Sequence, residues 1–279
     1  MHVKVRLTIT DNLTREMVLK QPSILTSIAA LCAVAVLLMD SIAPGAAAEC
    51  PREGVLGTFR VLKVDAAAYP RVGLKSFPQT LPLRDKEVVL TFDDGPSPTT
   101  TPKVLDALAQ ECVRATFFLI GQHAAAYPEL VRRIAAEGHS IGYHTWSHRS
   151  LKRIPQSEAP EEIDRGIAAV EKALHGVATT TPSTPFFRFP GLESTPETLS
   201  RLQSRGIVVF SADLWASDWN KMTPDQELDL LTRRLNRARK GIILLHDPKA
   251  HTAAMLPAFL RYLREHDYHV VHVVPAPMS

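Results

Sequence analysis

The chain has 279 residues, 45% of them apolar, enough to bury one large core or two small ones. Its 32 basic and 29 acidic side chains leave a formal charge of +3. With no basic block along the chain, composition excludes the electrostatic footprint of a nucleic-acid binder.

The first strong feature is the apolar run from Ile24 to Met39, which Asp40 ends. Pro44-Gly45-Ala46-Ala47-Ala48 follows, with small residues suited to cleavage before Glu49. Residues 1–48 therefore read as a signal peptide. The segment before the run carries Asp11 and Glu16, and a start at Met17 would leave Lys20 in a short basic region. The run is short for a full span of ~20 residues, so cleavage is favoured over a retained anchor. The absence of an Arg-Arg pair argues against the twin-arginine route. An exported protein is expected, periplasmic or secreted, with no stable membrane span after cleavage. In such a compartment Cys50 and Cys112 either pair or remain two thiols, and the sequence leaves both open.

Residues 49–85 lack clean periodicity and are punctuated by Pro51, Pro70, Pro78 and Pro82. Val61–Val64 suggests a short strand. This stretch reads as an extension wrapping a main domain of residues 86–275. From Glu87 onward strands and helices alternate. Strand Glu87–Phe92 is followed by a helix from near Pro102, strand Ala115–Ile120 by helix Tyr127–Glu137, and strand Ser140–His144 by helix Ser157–Leu174. Phe186-Phe187 begins a short strand, and Thr195 caps a helix that starts at Pro196 and ends before Gly206. Strand Ile207–Phe210 precedes a helix opened by the capping box of Thr223 and Gln226 and running to Lys240. Strand Ile242–Leu245, helix Ala254–Glu265 and strand Tyr268–Val274 complete the series. All-apolar strands alternating with helices predict an α/β fold with a parallel sheet. About seven such units suit a distorted (β/α) barrel better than an open sheet.

In either architecture reacting groups belong at the carboxyl ends of the strands. The apolar run Val88–Phe92 stops at Asp93-Asp94, and Gly95-Pro96 turns the chain. Two adjacent carboxylates repel unless a cation draws one of them in and leaves the other free to move a proton. Other strand ends carry His144-Thr145-Trp146-Ser147-His148, Arg188-Phe189-Pro190-Gly191, Asp213 to Trp219, and His246-Asp247. Each alone is weak, but ionisable groups at five ends facing one mouth are a joint pattern. His144 and His148 are four apart, so one helical turn would bring both rings to one side. With a carboxylate they make a His₂-carboxylate set with open positions, the catalytic form of a zinc site. His123, His139, His175, His251, His266, His269 and His272 lack such company and read as structural or solvated.

Thr91–Pro96, His144–His148, Arg188-Phe189-Pro190, Asp218-Trp219 and Leu244-Leu245-His246 resemble, in order, the five motifs of the polysaccharide deacetylases, the NodB-homology domains of carbohydrate esterase family 4. The resemblance covers roughly Glu87 to Val274. It implies a distorted barrel, a divalent metal (most often Zn2+), and hydrolysis of acetamido groups on an N-acetylglucosamine-containing glycan. Chitooligosaccharide, peptidoglycan and poly-N-acetylglucosamine are the implied candidates. An O-acetyl polysaccharide esterase and a catalytically silent glycan-binding module are the alternatives. By motif position Asp94, His144 and His148 would bind the metal. Asp93 would be the general base, Arg188 would orient it, and His246 would be the general acid. Gly191 would supply an oxyanion N–H, and Pro190, Trp215, Trp219 and Leu244 would line the substrate site. Two positions depart from the family pattern. Gly191 stands where an aromatic residue is usual, which removes a pocket wall. Trp215 stands where an acid is more common, so either Asp213 or Asp218 could tune His246.

Overall fold

The computed structural model describes residues 52–277, all within the unit Cys50–Ser279. The signal-peptide and start-site readings concern residues outside that range. Among the described residues no helix is long and apolar enough to cross a membrane.

The elements are β1 (Thr58–Val64), β2 (Arg71–Val72), β3 (Glu87–Asp93), α1 (Thr101–Gln110), β4 (Thr116–Leu119), α2 (Gly121–Ala126), α3 (Pro128–Ala136), β5 (Ser140–Tyr143), α4 (Ala159–His175), β6 (Phe186–Phe187), α5 (Pro196–Ser204), β7 (Val208–Phe210), β8 (Leu214–Trp215), α6 (Pro224–Ala238), β9 (Gly241–His246), α7 (Ala250–Glu265) and β10 (His269–Pro275). Helix starts follow local chemistry. Thr195 and Thr223 each form a capping box, with Thr198 and Gln226 answering from the third helical position. Five of the helices carry Pro in the first turn, where a missing N–H costs nothing.

Every strand pairing is parallel. The main path runs β9-β3-β4-β5-β6-β7-β2. The chain leaving β7 steps across as β8 and pairs with β9, at the other end of that path. The sheet thus curls back toward its own start, with a break at Ser211–Asp213 in place of a continuous ladder. Its two faces are buried differently. Outer side chains such as Leu90, Phe92, Phe117 and Leu245 pack with helix residues including Val104, Ile163, Leu235 and Phe259. Inner side chains form a separate cluster of strand and extension residues: Val89, Phe118, Phe186, Phe210, Ile242, Val271 and Val273 with Val64, Val72 and Leu81. Burial on both faces is why the central strands read as unbroken apolar runs.

Residues 52–85 contribute more than one short strand. β1 pairs along β10, and β2 pairs with β7. β10 touches β3 only at His269 and Val270 and then continues with β1. Leu56 and Gly57 bond to Glu111, and the Thr58 hydroxyl donates to the Cys112 carbonyl, which ties the start of the extension to the end of α1. Cys112 itself is disulfide-bonded.

Candidate active site

The parallel register of β3 sets the site. Asp93 lies opposite Phe118 of β4 on one side and His246 of β9 on the other, so Asp93 and His246 end neighbouring strands at the same mouth. Asp94 follows with φ of 73°, in the left-handed region that Asp tolerates better than most residues. Consecutive strand residues face opposite ways, and this twist is what swings the second carboxylate round to join the first. The bend therefore sits in Asp94 itself, one residue before the Gly95-Pro96 turn that was expected to make it. Two contacts brace it. The His123 ring, from α2, hydrogen-bonds through Nδ1 to the Asp94 carbonyl at 2.7 Å. Beneath the turn, a Cβ on Gly95 would lie 2.4 Å from either carboxylate oxygen of Asp247, so only glycine fits. Asp247 is fully buried and receives the Thr101 hydroxyl. Burial, with the nearby Asp94 charge adding to it, pushes its carboxyl up to about 7.

His144 and His148 do meet, but not through a helical turn. β5 ends at Tyr143, and the chain then bends at Thr145 (φ 62°) and again at His148 (φ 60°). The loop is clamped from two sides. Trp146 N–H bonds to the Glu162 carbonyl of α4, Glu162 accepts from Ser147, and α2 donates to the Thr145 and Trp146 carbonyls. Gly166 allows α4 to lie this close, since a Cβ there would be 2.5 Å from the Thr145 carbonyl carbon. His144 Nδ1 bonds to the Arg188 carbonyl at 2.7 Å, which leaves Nε2 as a free acceptor facing the carboxylates.

Arg188 is fully buried at the end of β6. It spends its guanidinium on Asp93 Oδ1 at 2.7 Å, the Thr91 hydroxyl at 2.8 Å and the Ser211 carbonyl at 2.8 Å, and lies 4.3 Å over the Phe118 ring. On the opposite side His246 Nδ1 donates to Asp218 Oδ1 at 2.7 Å, while the His246 backbone N–H donates to Oδ2 at 2.7 Å. Burial would lower the His246 pKa. The hydrogen bond and charge of Asp218, with Asp93 and Asp94 adding theirs, instead raise it to about 9. Of the two candidate partners, Asp218 makes the contact. Asp213 accepts from Leu74 N–H, the Thr80 hydroxyl and Ile242 N–H, and so pins the extension to β9.

The remaining residues scatter around the mouth. Gly191 sits at φ 63° in the 3-10 turn Pro190–Leu192, with Pro190 buried. Leu244 is buried and shares a strand face with His246, two residues on. Trp219 is 53% exposed and meets the His246 ring edge-on at 6.1 Å. Trp215 lies further back, between the cations of Lys75 and Arg234. Trp146 packs under Arg165. Two histidines that lacked sequence company prove to be part of the surroundings: His123, braced on Asp94, and His251, whose Nε2 bonds to the Asp218 carbonyl at 3.0 Å. Neither has a spacing signal, because each reaches the site from a helix start through a backbone carbonyl.

The trio Asp94, His144 and His148 fits a metal ion. Asp94 Oδ1 is buried without a hydrogen-bond partner, although Nε2 of His148 stands 3.1 Å away and Nε2 of His144 3.4 Å. Burial alone would raise the Asp94 carboxyl, but the two imidazoles hold it well below the usual carboxylate range. Among the described residues no other group of three such side chains converges this closely. One carboxylate oxygen and two imidazole nitrogens that converge in this way, with His148 exposed to solvent, are a donor set that a divalent metal ion could take.

The polysaccharide deacetylase family model matches residues 80–210, a stretch that holds Asp93, Asp94, His144, His148 and Arg188. A peptidoglycan-N-acetylglucosamine deacetylase of Bacillus cereus is 38% identical over 144 residues, 52% of this chain, which spans half of that protein. A chitooligosaccharide deacetylase of Rhizobium leguminosarum is 35% identical over 164 residues, covering 58% of this chain and 72% of the relative. Among solved structures, the Bdellovibrio bacteriovorus peptidoglycan deacetylase superposes with a TM-score of 0.70 at 29% identity, over 83% of this chain and 64% of its own. Sequence, curled parallel sheet and site agree: the chain belongs to the polysaccharide deacetylase family.

Proposed function

We propose that this protein is a metal-dependent hydrolase that removes N-acetyl groups from an exported or cell-wall glycan built on N-acetylglucosamine. The observation that carries the reading is the orphaned Asp94 Oδ1 facing two imidazole nitrogens, beside a second carboxylate held by a buried arginine. Asp94, His144 and His148 would hold the ion, Zn2+ by the chemistry of the set. Such an ion, when bound, acidifies water and polarises the acetamido carbonyl. Asp93 takes the proton of the attacking water, and Arg188 keeps its carboxylate aimed by bonding the oxygen that faces away from the ligands. The Gly191 N–H, exposed in its turn, supports the carbonyl oxygen as charge develops there. His246 Nε2 gives its proton to the nitrogen as the C–N bond breaks, so acetate and a free amine leave. Trp219, exposed beside His246, offers a face for a sugar ring. The catalytic unit is taken as residues 86–275, with 49–85 built onto it and 1–48 removed on export.

The test is acetate release from chitooligosaccharides, peptidoglycan and poly-N-acetylglucosamine, measured after chelation and again after zinc is restored. Release that disappears with the metal and returns with it is expected. No release from any of the three with the metal site full would overturn the reading, and release only from O-acetyl esters would redirect it.

A further inference from the structure

Behind the Asp218–His246 pair lies a second carboxyl that the reaction does not use. Glu227, in the first turn of α6, is fully buried. Thr252, in the first turn of α7, is buried between the two acids. Its hydroxyl oxygen is 3.0 Å from Asp218 Oδ2 and 3.0 Å from Glu227 Oε1. A hydroxyl has one hydrogen and cannot serve both acceptors. If both carboxyls were ionised, one of these contacts would hold two oxygens together with no proton between them. Asp218 is the natural anion, because His246 supplies it with a ring N–H and a backbone N–H. No Lys or Arg pairs with Glu227 among the described residues, and its Oε2 is buried without a hydrogen-bond partner. The groups facing it are Asp218 from the loop after β8, His246 from β9, and Thr252 and His251 from α7. His251 Nε2 stands 3.7 Å from Oε2 but is bonded to the Asp218 carbonyl.

We propose that Glu227 and Thr252 are positioning residues for the general acid: a protonated Glu227 donates to the Thr252 hydroxyl, which donates to Asp218 Oδ2 and fixes the carboxylate whose other oxygen receives the His246 ring. This rests on the reading of His246 as the group that protonates the departing amine. Burial, followed by the Asp218 charge, pushes the Glu227 carboxyl up to about 7, against the pull of Thr252 and His246, in keeping with a neutral acid below that pH. The arrangement also leaves one negative charge behind His246 instead of two. A second anion would hold the imidazolium proton more tightly and slow its delivery.

Infrared difference spectra of the full-length protein, slightly below neutral pH and without substrate, test the proton directly. Glu227→Gln should remove the carbonyl stretch of one protonated carboxylic acid, and no such loss overturns the proposal. Turnover of chitooligosaccharide by the zinc-loaded enzyme tests the positioning. Thr252→Val should lower kcat roughly tenfold with KM unchanged, the scale of one hydrogen bond to a charged group. Thr252→Ser, which restores the hydroxyl, and Glu227→Gln, which keeps an N–H donor toward Thr252, should recover most of it. Equal losses in the Val and Ser variants, or none in Val, overturn the proposal. Should Thr252→Val fail to fold, Glu227→Met replaces it in the comparison with Glu227→Gln. If the wild type itself releases no acetate, the hydrolase reading fails, while the spectra still decide whether Glu227 carries the proton.

Discussion

Replacing Asp218 by Asn removes the charge behind His246, the proposed general acid. The amide oxygen can still accept the His246 ring N–H at 2.7 Å, but the amide NH2 then takes the place of Oδ2 against the His246 backbone N–H, so that hydrogen bond is lost together with the charge. The rise of His246 from its ordinary 6.5 to about 9 amounts to roughly 3 kcal/mol at 1.36 per unit. Asp93 and Asp94 supply part of it, and a bound cation would offset that part, so the metal-loaded enzyme should titrate lower. A general acid must be protonated, so wild-type turnover should hold through neutral pH and fall as pH rises through the raised value. In Asp218→Asn, burial lowers His246 with little to oppose it. The alkaline limb should move down by at least one unit, and turnover near pH 7.5 should drop about tenfold or more, recovering toward acid. The same interaction contributes to stability. A raised folded value means that the contribution is complete below 6.5 and is lost as pH climbs toward about 9. Acetate release against pH, with metal content checked at each point, measures the limb. An unmoved limb in a fully metallated Asp218→Asn would refute the assignment.

Three further outcomes are expected. Asp93→Asn should retain zinc and lose nearly all turnover, whereas His148→Ala should lose both; metal analysis beside acetate release separates them, and an active Asp93→Asn would remove the base assignment. Arg188→Met leaves the Asp93 carboxylate buried without its guanidinium, which should cost about 3–5 kcal/mol in urea unfolding, the scale for breaking one side of a buried pair; a loss under ~1 kcal/mol would show that water or another cation replaces it. Gly95→Ala drives a methyl into the Asp247 carboxylate, so folding stability should drop by about 1–3 kcal/mol. Zinc affinity should fall with it as the Asp94 bend is displaced, and calorimetric zinc titration would reveal that.

Much of this molecule can be read along the chain because its signals are local. Central strands covered on both sides are largely apolar, so β3, β4, β5 and β9 stand out, and Pro in the first turn marks the start of five of the seven described helices, two of them with a capping box. Strands that all run parallel end at one mouth, which is why Asp93, Asp94, His144, His148, Arg188 and His246 can be gathered from the sequence. Short elements escaped. β2 and β8 are two residues each, α2 is a six-residue helix, and all three depend on neighbours that are remote in sequence.

The site's finer assignments are of this second kind. Spacing suggested a helical turn for His144 and His148, but the loop is bent by contacts with α2 and α4, and Asp94 turns on its own backbone. Asp213 and Asp218 are both plausible on paper. Only the step of the chain from β7 across to β9 sends one to the extension and the other to His246. His123, Glu227, His251 and Thr252 gave no sign at all. Each acts through a carbonyl or a hydroxyl that folding brings near, and a hydrogen bond between residues distant in the chain leaves no periodicity to read. Chemistry carried by a residue's type and its place at a strand end is legible in one dimension. Chemistry that depends on which partner arrives opposite is decided only when the sheet curls and the helices pack.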